Sequence, residues 1–330
     1  MLRKIAVKET VLLVSFILIS ASYACKMNGV GVESFTGKEN KETVISVAGD
    51  IMLSRGVQPK LEKFGYDYPY EQIKELFLTD DLTIVNLECP ITEAENPVSK
   101  PSNLIFKADL ENAEALKRNG IDCIDLANNH SMDYRADGLG ETMDVLETVG
   151  IATVGAGRNA DDDFTQIFEI NGLRIGVLAF TEFSTEGFFY NANEPCFDLV
   201  TEYNLDSVAK RIEEFDCDFK IVYFHWGIEY EGAHSDRQEL FAHRAVESGA
   251  NFVVGSHPHV LQDTEIYKGV PIYYSLGNFV FDRQVPFHTD ETAVLQITVD
   301  EDGLAKTEFI PCRIENCAVV PDGEHVITKF

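Results

Sequence analysis

Basic side chains are few in this chain of 330 residues: 27 Lys and Arg stand against 55 Asp and Glu, for a formal net charge of −28. A nucleic-acid binder needs a basic face, so that class is set aside. An anionic substrate would be repelled at long range and could be met only through a metal or a few well-placed Lys and Arg. A cysteine pattern is missing too. No CxxC occurs and Cys123 sits inside a strand-like run, which speaks against a disulfide framework on the cysteines after Cys25. Only Cys312 and Cys317 are close enough in sequence to look like a natural pair, with buried reduced thiols as the alternative. No internal repeat is visible. No linker-like stretch interrupts residues 44–310, which argues for one domain with two sheets.

The N-terminal apolar run, Val11 to Ile19, is too short for a comfortable membrane span. It fits an export signal instead. Arg3, Lys4 and Lys8 precede it, and the small residues Ser20-Ala21-Ser22-Tyr23-Ala24 follow. Residues 1–24 therefore read as a signal peptide. A Cys immediately after the cut resembles a bacterial lipobox, with Cys25 lipidated and the chain held at the outer face of the cell membrane. Ser22 departs from the aliphatic residue usual there, so ordinary secretion and an uncleaved anchor stay as alternatives. Cleavage removes a net +2 and leaves the mature chain near −30. Residues 25–43 lack apolar periodicity and read as a flexible tether.

With 45% hydrophobic and 11% aromatic residues, the remainder can bury a substantial core. Val44–Ala48, apolar on both faces, reads as a central strand that stops at Gly49-Asp50. A helix over Tyr70–Phe77 leads to a strand over Leu82–Val85 ending in Asn86-Leu87-Glu88. A helix over Asp109–Asn119, stopped by Gly120, leads to a strand over Ile121–Ala127 closing on Asn128-Asn129-His130. Leu139–Val149 gives the next helix and Ile151–Val154 a short strand. Asn171-Gly172 then marks a hairpin, strict alternation stops, and a second sheet is expected. Residues 185–204 read as an irregular excursion over the site. Helices over Leu205–Phe215 and Arg237–Ser248 alternate with strands over Phe219–Phe224, ending in His225-Trp226-Gly227, and Phe252–Val254, ending in Gly255-Ser256-His257-Pro258-His259. Hairpins at Lys268-Gly269 and Asp300–Gly303 follow, and residues 311–330 read as an irregular tail.

Singly, these strand ends carry little: Gly-Asp is a common turn, and a His before Trp can be a buried, hydrogen-bonded residue. In series they point to one place. Asp50, Glu88, Asn129, His130, His225, His257 and His259 all fall at ends of successive strands, and strands running the same way share that edge. Such a set of O and N ligands is enough for two divalent cations about 4 Å apart bridged by one carboxylate, an arrangement suited to clamping a phosphoryl group.

These motifs resemble the CapA family of capsule and poly-γ-glutamate synthesis, whose fold is that of the calcineurin-like metallophosphoesterases. The matching stretches are Gly49-Asp50-Ile51-Met52 with Arg55, Asn86-Leu87-Glu88-Cys89-Pro90-Ile91, Phe106-Lys107-Ala108, Asn128-Asn129-His130 with Asp133 and Gly138, His225-Trp226-Gly227-Ile228-Glu229, Gly255 to Val260, and Ser275-Leu276-Gly277-Asn278-Phe279. They cover about residues 44–282 in the family's order. The resemblance implies a two-sheet αββα sandwich over residues 44–310. It implies one or two divalent ions (Mn, Mg, Zn or Fe), with Asp50 and His259 on the first, Glu88 bridging, and Asn129, His225 and His257 on the second. By the same analogy His130 would serve as general acid or electrostatic aid, Arg55 and Lys107 would neutralise an anionic group, and Asn278 would be a polar or substrate contact. Phosphoesterases of this fold usually place His where this chain has Met52, a poor ligand for Mn²⁺ or Mg²⁺, so the first position is weak or absent. Two functions fit. One is a cell-surface metal-dependent hydrolase or transferase acting on a phosphoester or an anionic polymer; the other is a non-catalytic accessory protein that works with membrane-bound capsule synthesis proteins.

Overall fold

The structure, a computed structural model, describes residues 41–184, 191–283 and 288–330. The expected signal peptide, Cys25 and almost all of the expected tether lie outside the described residues, as do residues 185–190 of the expected excursion.

The first half of the chain runs β1 (Thr43–Ile51), α1 (Gln58–Phe64), α2 (Lys74–Thr79), β2 (Leu82–Leu87), α3 (Glu111–Arg118), β3 (Cys123–Asp125), α4 (Arg135–Thr148) and β4 (Ala152–Val154). A second series follows: β5 (Ala156–Gly157), β6 (Gln166–Ile170), β7 (Leu173–Thr181), β8 (Cys196–Phe197), α5 (Leu205–Glu214), β9 (Phe219–His225), α6 (Asp236–Glu247), β10 (Phe252–Ser256), β11 (Thr264–Tyr267) and β12 (Val270–Tyr273). The chain then returns to the first sheet with β13 (Asn278–Val280), β14 (Glu291–Asp300), β15 (Gly303–Glu315), β16 (Ala318–Pro321) and β17 (Val326–Lys329).

One sheet has the order β16-β15-β14-β1-β2-β3-β4, with β13 also on β1 and β17 also on β15; the other has the order β11-β12-β10-β9-β7-β6. β1 to β4 are parallel, and so are β7, β9, β10 and β12. Within each sheet the carboxyl ends of these strands therefore share one edge. The free side of β1 is divided between two partners: antiparallel β14 pairs with Thr43–Val47, and parallel β13 pairs with Asp50 and Ile51.

Alternation along the strands sorts the core into layers. In β9, Ile221 and Tyr223 face Ile45, Val47 and Ile84 of the other sheet, while Val222 and Phe224 turn outward onto Val208, Ile212, Phe241 and Ala245 of α5 and α6. In β2, Ile84 points between the sheets while Val85 and Leu87 pack under Ala113 and Leu116 of α3 and Leu139 and Leu146 of α4. Burying each large aliphatic side chain contributes about 1.5–3 kcal/mol. The product is the expected αββα sandwich. Strands covered on both faces read as continuous apolar runs, which is why the central ones were visible in sequence.

Three expectations change. The stretch after Pro311 is not irregular: β15 runs on to Glu315, and both β16 and β17 pair with it. The turn into β16 is the two-residue Asn316-Cys317, both in the left-handed region (φ 52° and 70°). That is a tight hairpin geometry usually signalled by Gly at the second position, and Cys there hides it. The same register places Cys312 opposite Pro321 and Cys317 in the turn, so they do not pair, and no disulfide joins any of the six described cysteines. α4 also starts earlier than expected, at Arg135, because Gly138 and Gly140 weaken the helical pattern in its first turns.

Candidate metal centre

The carboxyl ends of β1, β2, β9 and β10 meet at one buried cluster. Gly49 permits it: a Cβ there would lie 2.0 Å from the Gly277 carbonyl oxygen, which accepts the Asp50 N–H at 3.1 Å. Asp50 is thus held between β13 and β2. Its carboxylate accepts from Asn86 Nδ2 at 2.6 Å and from the His257 N–H at 3.1 Å. His225, the last residue of β9, places Nε2 2.8 Å from Asn129 Oδ1, 3.1 Å from His257 Nδ1 and 3.9 Å from Glu88 Oε1. His259 Nδ1 lies 2.9 Å from Asn278 Oδ1, 3.6 Å from Asp50 Oδ2 and 3.9 Å from Glu88 Oε2. His257 and His259 flank Pro258 with φ of 96° and 60°. Non-Gly residues in this region are strained, and such strain gathers at functional sites.

Two groups of candidate ligands result, Glu88–His225–His257 and Asp50–Glu88–His259, each with its ligand atoms within 4.8 Å of one another. Glu88 belongs to both. Its side chain is fully buried, yet neither carboxylate oxygen has a hydrogen-bond partner. A buried acceptor left unmade costs about 1–3 kcal/mol, more for a charged group, so an orphan pair of oxygens calls for a missing partner. The nitrogen spacing agrees: two nitrogens bound to one cation at about 2.1 Å each lie about 3.0–3.4 Å apart.

Electrostatics point the same way. Burial pushes the Asp50 carboxyl up to about 6, against hydrogen bonds from Asn86, the His257 N–H and Ser256. Burial, followed by the nearby Asp50 and Glu229 carboxylates, raises Glu88 well above the usual range. Burial holds His225 and His257 far below theirs, helped by neighbouring imidazoles, and lowers His259 to about 3. Carboxyls that resist ionising beside imidazoles that resist protonation are what a cation reverses in the one case and requires in the other. The residues therefore fit a divalent metal.

Beside this cluster, His130 stacks on Phe106 with ring centroids 3.9 Å apart. Its Nδ1 lies 2.9 Å from Asp133 Oδ2 and its Nε2 lies 3.9 Å from Glu88 Oε1. Burial lowers the His130 pKa, with Asp133 opposing. Lys100 completes the group: its nearly buried ammonium donates to Asp133 and sits 3.3 Å from His130 Nδ1. Arg55 is paired with Asp282 at 2.5 Å, and its guanidinium lies over Phe106 and Phe281 at 4.7 and 5.3 Å. Lys107 is placed otherwise. Its ammonium donates to the Ala94 carbonyl at 3.1 Å, and the residue lines an open groove with Tyr66, Glu93, Glu95 and Asp109. Met52 is fully buried in the apolar core, where its sulfur accepts the Ser54 N–H.

Asp50, Glu88, Asn129, His130, His225, His257, His259 and Asn278 are thus brought together. Sequence reasoning missed Lys100, Asn86, Asn128 and Ser256. Lys100 lies in the strandless stretch between β2 and α3, where spacing offers no signal. The other three stand beside chosen residues, and what selects them is contact across the sheets.

Fold and site together define an αββα sandwich with a paired set of candidate metal ligands on its strand-end edge. Residues 44–283 match the family described as bacterial capsule synthesis protein PGA_cap, and the chain belongs to that family. It is 31% identical over 315 residues to the capsule biosynthesis protein CapA of Bacillus anthracis, covering 94% of this chain and 76% of that one. It is 33% identical over 281 residues to the PGA biosynthesis protein CapA of Bacillus subtilis (strain 168), covering 84% and 73%. Among solved structures, a putative 5′-nucleotidase from Staphylococcus aureus is similar at a TM-score of 0.46 and 13% identity, over 86% of this chain and 55% of that one. Among the described residues, no helix is long and apolar enough to cross a membrane.

Proposed function

We propose that this protein is a metal-dependent hydrolase or transferase of capsule polymer synthesis, acting on a phosphoester or on a bond of an anionic polymer such as poly-γ-glutamate. We place it outside the cell, tethered through a lipidated Cys25. The observation that carries the catalytic reading is Glu88: two buried oxygens without partners, between two histidine-bearing groups. On this reading His225, His257 and Asn129 would hold one cation and Asp50 and His259 the other, with Glu88 available to both. Such cations supply Lewis-acid stabilisation of charge developing on the substrate. The chain's own groups do the rest. Arg55, kept in place by Asp282 and two aromatic rings, faces the substrate's anionic group, a local cation in a strongly acidic protein. His130, oriented by Asp133 at Nδ1, moves a proton at Nε2 to the leaving group. Lys107, whose ammonium donates to the Ala94 carbonyl in a groove lined by Glu93, Glu95 and Asp109, takes no part in this reading, and Asn278 orients His259.

The test is turnover by the purified protein with Mn²⁺ on p-nitrophenyl phosphate, bis-p-nitrophenyl phosphate and poly-γ-glutamate. Activity on one of them that His225→Ala abolishes supports the reading; no turnover on any of the three refutes it. A second reading, an accessory protein without catalysis, draws support from Met52, which spends its sulfur on Ser54 in the core where a phosphoesterase would offer a histidine. In that case Asp50→Ala and His257→Ala leave capsule production intact in cells, whereas Cys25→Ala impairs it.

A further inference from the structure

A histidine can ligate through Nε2 only while its proton resides on Nδ1, and the group that accepts that proton decides how well it ligates. His225 Nδ1 has two partners within hydrogen-bonding distance, Ser256 Oγ at 3.0 Å and Asn86 Nδ2 at 3.3 Å. The nearest Asp50 oxygen is too far, at 3.8 Å. Asn86 is pinned. Its Nδ2 donates to Asp50, and its Oδ1 accepts from Asn128 Nδ2, which also donates to the Leu87 carbonyl at 2.8 Å. Asn86 therefore offers His225 only hydrogens and favours the tautomer with the proton on Nε2, which does not ligate. Ser256 favours the other. Its oxygen accepts from Nδ1–H, which leaves its own hydrogen for the nearby Asp50 carboxylate, whose ionised form it favours. Tyr223, also close to Ser256, spends its hydroxyl hydrogen on the Ala48 carbonyl at 2.9 Å. Parallel pairing of β9 with β10 sets Ser256 directly beside His225, and both side chains are fully buried.

We propose that Ser256 is a positioning residue that holds His225 in the ligating tautomer and links the two cation positions through the chain His225 Nδ1–H, Ser256 Oγ–H, Asp50 carboxylate. The inference rests on the metal reading above. With Ser256 removed, Asn86 alone addresses Nδ1, and the balance tips to the tautomer whose Nε2 carries hydrogen.

Calorimetric titration of the purified protein with Mn²⁺ tests this. Ser256→Ala should weaken the binding step that His225→Ala abolishes by about 10–100-fold, the usual effect of losing such an outer partner. Ser256→Thr, which keeps the hydroxyl, should stay near wild type, and thermal unfolding in EDTA should be the same for Ser256→Ala and wild type. Unchanged Mn²⁺ affinity in Ser256→Ala overturns the proposal and leaves the metal reading standing. A weakened affinity matched by an equal loss of stability in EDTA also overturns it, as a packing effect. Absence of Mn²⁺ binding in the wild type sinks the metal reading, and this inference with it.

Discussion

Replacing Glu88 by Gln separates what a cation contributes from what the fold contributes. Without metal, burial already drives the Glu88 carboxyl toward its neutral form, and neither oxygen has a partner, so Gln substitutes one neutral group for another of the same shape. The metal-free variant should then match wild type within about 1 kcal/mol, the range expected of a swap that leaves no new buried charge. With metal the two diverge. A cation at 100 times its dissociation constant stabilises the folded state by about 2.7 kcal/mol. In a domain of this size each kcal/mol moves the melting temperature by about 2–4 °C, so saturation raises Tm by about 5–11 °C. Differential scanning calorimetry in Mn²⁺ and in EDTA reads both. Wild type should lose that increment on chelation, while Glu88→Gln should move by less than half as much. An equal EDTA effect on the two proteins, or none on wild type, would refute the assignment of Glu88 as the shared ligand.

Lys100→Met should destabilise the protein by about 3–5 kcal/mol in urea unfolding, because it leaves the buried Asp133 carboxylate without its cation, and adding Asp133→Asn should recover part of the loss. A loss under 1 kcal/mol would show that the pair contributes little net stability. Burial, with Asp122 and Asp81 nearby, raises Asp80 from 3.8 to about 7. A raised carboxyl favours the folded state below its unfolded pKa and loses that contribution as pH climbs through the window from about 4 to 7. Asp80→Asn should therefore gain stability over wild type at pH 8 and show no such gain near pH 4; a pH-independent difference would contradict it. Thiol titration with Ellman's reagent should find the described cysteines unreactive in the native state apart from half-buried Cys217, and all six of them reactive in denaturant without prior reduction.

The centre was legible wherever a β-branched run ended in a ligand-type side chain. Ile45 to Asp50, Leu82 to Glu88, Phe219 to His225 and Phe252 to His257 each announce a central strand and what stands at its end. Parallel order then predicts convergence without knowledge of contacts. What failed to register depends on three-dimensional neighbours. Asn86 and Asn128 read only as polar residues at strand ends, and it is contact across the first sheet that makes them a chain of amides. Lys107 and Lys100 are equally plausible cations in sequence, and the path of the chain between β2 and α3 puts Lys100 against His130. The C-terminal strands were hidden by a hairpin turn built from Asn316-Cys317 in place of a Gly-containing pair.

The division of β1 between β14 and β13 also bears on how the protein is made. Asp50 and the His257 N–H that holds it are 207 residues apart, and the Gly277 carbonyl that caps Asp50 comes later still. At about 5–20 residues per second, a ribosome takes about 10–40 s to extend the chain from the first of these residues to the second. Through that interval β2 to β4 and their helices can form, while β1 keeps one side open and its carboxylate stays in water. Burial of the Asp50 carboxylate thus has to wait for partners in the C-terminal half of the chain, and until they arrive the open edge of β1 is the segment most in need of protection.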